Sequence, residues 1–77
     1  MVDHLTRVTA DARSAGAGDL AAALAAAGFA VRRERHRIVA DSSAVEGQEV
    51  KTYLRGRGFA DRDYQVFVEF VRRWGTL

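Results

Sequence analysis

The chain has no cysteine. Disulfides, thiolate metal sites and cysteine nucleophiles are therefore excluded together. At 77 residues, a single core only just suffices for stability. Cohesion must come from apolar packing within the chain or from a partner chain. Lysine occurs once, at Lys51, and His4 and His36 are the only histidines. A metal site would need both histidines and one or two carboxylates, and the spacing does not bring these together. No glycine-rich phosphate loop with its lysine is present, and Ser42 and Ser43 stand where capping residues belong. The expectation is a non-enzyme with no catalytic residues, no metal and no cofactor. Long apolar runs are also missing. The longest, Leu20–Val31, covers twelve residues, too few to cross a bilayer as a helix. Asp19 directly precedes it, where a signal peptide carries positive charge. A soluble, cytoplasmic protein with no membrane partner is expected.

What the chain does have is arginine. Eleven of its twelve basic residues are arginines, against ten carboxylates, for a formal net charge of +2. A GC-rich genome explains such a bias, as it does the abundance of Ala, Val and Gly. Bidentate recognition of phosphate or carboxylate is the functional alternative, and the genomic explanation is preferred over it. The surplus is uneven. Residues 32–77 hold ten basic and seven acidic side chains, and residues 1–31 hold two and three.

Hydrophobic spacing organises the chain as one small domain over 1–77, with residues 1–18 its more loosely attached part. Val2, Leu5, Val8 and Ala12 fall on one helical face, which predicts a short helix over 3–14 with Asp3 as its cap. Ser14–Gly18 is a break. Asp19 then opens an alanine-rich helix to Ala27, closed by Gly28, with Leu20 and Leu24 as its large contacts. Residues 29–31 and 37–40 read as the strands of a hairpin turning near Arg33–His36, without an Asn-Gly or Asp-Gly signal. Ser43 and Glu46 match a capping box for a third helix, with Val50, Tyr53 and Leu54 buried and Gly47 a weak point within it. Asp61 and Asp63 at the start, and Arg72, Arg73 and Gly75 at the end, frame a fourth helix with an apolar arc of Tyr64, Val66, Phe67, Val68, Phe70, Val71 and Trp74. The fold expected is α+β and helix-rich: helix–helix–β-hairpin–helix–helix. The alternative reads residues 4–10 and 63–74 as strands and gives the ferredoxin-like order βαββαβ. No internal repeat is evident.

Two features point to binding. Arg32-Arg33-Glu34-Arg35-His36-Arg37 crowds positive charge on one hairpin, and Arg55, Arg57 and Arg62 around the next turn extend it. These seven arginines are the expected contacts to DNA or RNA. The apolar arc of the last segment, with Tyr64, Phe67, Val68, Phe70 and Trp74, is the expected interface of a homodimer or a protein–protein adaptor. Arg57–Ala60 and Val66–Phe70 carry the two halves of the RNA-binding octapeptide of RRM domains. Asp61–Gln65 separates them and breaks the strand spacing that base stacking requires, so no family follows. The sequence thus predicts a small, non-enzymatic binding module, working on nucleic acid or in regulation through its arginine-rich hairpin, or else in assembly through its apolar C-terminal face.

Overall fold

A computed structural model describes the backbone of residues 2–72 and the side chains of residues 5–69. Its elements are β1 (Val2–Asp11), α1 (Ala17–Ala26), β2 (Ala30–Glu34), β3 (Arg37–Ser42), α2 (Gly47–Gly56), a single 3-10 turn at Asp61–Asp63 and β4 (Gln65–Arg72). One antiparallel sheet runs β2-β3-β1-β4. The helix-rich, four-helix arrangement is therefore wrong. Two helices and four strands in the order βαββαβ take its place.

Both misread helices have identifiable physical causes. In β1, Thr6, Val8 and Ala10 alternate onto the side facing the helices, and all three are buried. A strand whose helix-facing positions are filled by Thr, Val and Ala presents no large residues there, so the period-two signal was faint. At the other end of the chain, the acidic signals at Asp61 and Asp63 are real but belong to one 3-10 turn. The Asp63 carboxylate accepts from the Ala60 backbone N–H at 2.9 Å. Tyr64 is already extended, and the Val- and Phe-rich run beyond it follows its strand propensity. Trp74, expected on the same apolar arc, lies outside the described residues, as do the side chains of Phe70 and Val71.

The core lies between one face of the sheet and the two helices. In antiparallel pairs, opposite residues share a face. Val66, Val8, Ala40 and Val31 thus form a row across all four strands, beneath Leu20, Ala23 and Leu24 of α1 and Val50 and Leu54 of α2. The alanines make α1 thin, and it lies on β2 and β3, while α2 lies against β4. The Tyr53 hydroxyl donates to the Ala23 carbonyl at 2.9 Å and ties the helices together.

Each helix ends in the same way. Gly28 and Gly58 have φ of 95° and 94°. Phe29 N–H reaches the Leu24 carbonyl and Phe59 N–H the Leu54 carbonyl, at 3.0 and 3.1 Å. These are Schellman closures that require a left-handed residue. The triplet Gly-Phe-Ala stands at 28–30 and again at 58–60, so the two βαβ halves do carry a short repeat. The helix starts differ from expectation. Gly16, not Asp19, precedes α1, and Asp19 sits in its first turn. The Ser43–Glu46 capping box does not form. Instead the Ser42 hydroxyl accepts from the N–H groups of Ala44 and Val45.

Candidate nucleic-acid interface

Both helices pack on one face of the sheet, which leaves the other to side chains alone. That open face carries the row Phe67, Arg7, Asp41, Ala30, the row Gln65, Thr9, Val39, Arg32, and below them Asp11, Arg37 and Glu34. Val39 is only 4% exposed there, so neighbouring side chains keep water from it; the long stems of arginines suit this role.

Asp41 organises the upper part of this face. Its Oδ1 accepts from Arg7 Nε at 2.7 Å, directly across the strands, and its Oδ2 accepts from Arg32 Nη1 at 2.8 Å. Arg32 Nε also donates to Glu34 Oε1 at 3.0 Å. Hydrogen bonding from Arg7, and then from Arg32, holds the Asp41 carboxyl below the ordinary carboxylate range, although burial pulls the other way.

The lower end of the open face runs into a groove of about 720 Å³. Three separate stretches of chain build it: the β2–β3 turn with Arg35, His36 and Arg37, the end of β1 with Asp11 and Arg13, and the segment before β4 with Arg62 and Asp63. The turn is held in place where the His36 carbonyl accepts the Ala12 N–H at 2.7 Å. Arg35, the first of the two turn residues, has φ of 58°. This left-handed position is one that glycine fills without strain and arginine does not.

The groove's three carboxylates already have partners. Asp11 accepts from the Arg13 side chain at 3.2 and 3.3 Å and from its backbone N–H at 2.8 Å, which holds its carboxyl below the ordinary range. Glu34 is bound by Arg32, and Asp63 by the Ala60 N–H. Arg35, Arg37 and Arg62 form no ion pair among the described residues. Three arginines with unspent hydrogen-bond donors thus face a groove in which each carboxylate already accepts at least one hydrogen bond.

The seven arginines expected from the sequence separate into groups. Arg35, Arg37 and Arg62 line the groove. Arg32 lies on the open face, engaged by Asp41 and Glu34. Arg33, opposite Ile38, lies on the helix side of the edge strand β2. Arg55 is paired with Asp61 at 3.1 Å, and Arg57 stands over the Tyr53 ring, 5.5 Å from its centroid. Sequence reasoning missed Arg7, Arg13 and Asp41. Only the cross-strand register brings Arg7 and Asp41 together, 34 positions apart. Of the expected interface residues, Tyr64 is buried in the core at 5% exposure, with burial the main cause that raises its phenol pKa. Phe67 and Val68 are 47% and 45% exposed. They lie on opposite faces of a strand, not on one helix face.

Among the described residues, no group of three or more His, Cys, Asp and Glu side chains is placed to hold a metal ion, and no helix is long and apolar enough to cross a membrane. Comparison with protein-family models, with curated proteins and with solved structures finds no match.

Proposed function

We propose that this chain is a non-enzymatic module that binds single-stranded nucleic acid along the open sheet face, with its phosphates in the arginine groove. The observation that carries the reading is the convergence of Arg35, Arg37 and Arg62 on one groove whose carboxylates are otherwise engaged. Guanidinium groups with free donors suit phosphate oxygens. A second feature favours a nucleic acid over a simple polyanion. Phe67, half exposed, lies on the same face two residues beyond Gln65, which itself lines the groove. Exposed aromatic rings beside arginines are how sequence-tolerant proteins stack unpaired bases. The left-handed Arg35 supports the same reading, because strained residues collect at functional positions.

The test is a titration with labelled oligo-dT and oligo-U at about 50 and about 200 mM salt. Binding should weaken steeply with salt, and duplex DNA of the same charge should bind less well, since its bases offer no free faces. Equal affinity for duplex and single strand would remove Phe67 from the reading. No binding at the lower salt would remove the reading altogether.

A further inference from the structure

The two edges of the sheet are built differently. Edge strand β2 presents Arg32, Arg33 and Glu34 in succession, and charge of this kind deters a further strand from pairing. Edge strand β4 carries less charge over most of its length. From Gln65 to Val71 its one charged residue is Glu69. The consecutive side chains Phe67 and Val68, which point to opposite faces, are both about half exposed. Along its outer side β4 offers backbone donors and acceptors at strand spacing, which a further strand pairs in full.

The residues of β4 also say which strand. Gln65-Val66-Phe67-Val68-Glu69 is a palindrome in polarity: polar, apolar, aromatic, apolar, polar. Two antiparallel copies related by a two-fold axis at Phe67 would set Phe67 beside Phe67, Val66 beside Val68, and Gln65 beside Glu69. Each pairing matches like with like on the correct face, and the two Glu69 carboxylates are kept apart. Aromatic and β-branched pairs of this kind are the stabilising cross-strand contacts of sheets. Joining β4 to β2 of another copy would be head-to-tail and open-ended, whereas β4 against β4 closes at two chains. We therefore infer that the protein is a homodimer joined edge to edge through β4, in an eight-stranded sheet whose outer edges are the charged β2 strands. This rests on the edge of the sheet and not on the groove; it shares Phe67 with the proposed binding face, but mass and cross-linking test it apart from nucleic-acid binding.

The absence of native cysteine makes a direct test possible. Sedimentation of the full chain should give the mass of two chains, and Val68→Lys, which places a charge on the edge, should give one chain with unchanged circular dichroism. Under mild oxidation, Phe67→Cys should form a covalent dimer, because opposite Cβ atoms lie within reach of a disulfide. Thr52→Cys, exposed on α2, should not. If Val68→Lys fails to fold, the cysteine pair still decides the question. A monomer at high concentration, a mass beyond two chains, or equal cross-linking from both cysteines would overturn the inference.

Discussion

A Cβ atom added to Gly47 would lie 2.8 Å from Cγ2 of Val68 and 3.5 Å from Cγ1 of Val66. The first residue of α2 therefore meets β4 at a distance that only glycine permits. From the sequence this glycine looks like a weakness in a helix. In the fold it is where the start of α2 packs against the valine side chains of the edge strand. Gly47→Ala should destabilise by about 1 kcal/mol through overpacking, although alanine is the better helix former. Val68→Ala in the same chain should restore most of the loss. Chemical denaturation of the two single variants and the double variant measures this coupling.

Thr6 is fully buried opposite Ser42, and its hydroxyl has no hydrogen-bond partner among the described residues. An unpaired buried hydroxyl costs more than a methyl of the same shape. Thr6→Val should raise stability by about 1 kcal/mol and leave oligonucleotide affinity unchanged, because Thr6 points toward the helices. A loss of stability would mean that the hydroxyl is satisfied in solution.

Arg35 should couple stability to binding. Replacing it with glycine relieves the left-handed backbone and should raise stability by about 1 kcal/mol. The same change removes a groove guanidinium and should weaken oligonucleotide binding. Thermal melts and titrations on one preparation would show the two effects with opposite signs. A variant that is more stable and binds equally well would make Arg35 an ordinary turn residue.

Asp41 gives the fold a pH dependence. Its carboxyl titrates below the unfolded value of about 3.9 because Arg7 and Arg32 hydrogen-bond to its charged form. A depressed folded pKa means that the stabilisation is complete above the unfolded value and disappears as pH falls through the folded one. Asp11 acts in the same sense. Asp41→Asn should lower stability at neutral pH by about 1 kcal/mol, as expected for a partly screened pair. It should also flatten the loss of stability as pH falls below the unfolded value of about 3.9. Melting temperature against pH for both chains tests this.

The hairpin, both helices inside the βαβ units and most of the core were legible because each rests on local signals. Leu20, Leu24, Val50 and Leu54 repeat at helical spacing, and Gly28 and Gly58 mark helix ends by their need for positive φ. The outer strands were obscured by signals with two meanings. Asp61, Asp63 and Arg72 flank a strand in the order that flanks a helix. Val2, Leu5 and Val8 satisfy a helical period that β1 does not use. The groove was half legible. The crowded arginines could be read from the sequence. Which of them remain unpaired depends on Asp41, which the strand register sets beside Arg32, and on the nearer partners Glu34 and Asp61.

The division between arginines that line the groove and those that do not is the most direct point of attack. Two triple variants remove the same charge: Arg35, Arg37 and Arg62 to alanine in one, and Arg33, Arg55 and Arg57, which lie away from the groove, to alanine in the other. Oligo-dT affinity measured against salt distinguishes them. Losing the groove set should reduce the slope of log K against log salt by about 2, from roughly 0.7 per phosphate contact, while losing the distant set should change it little. Equal changes in slope would show that net charge, and not the groove, governs binding.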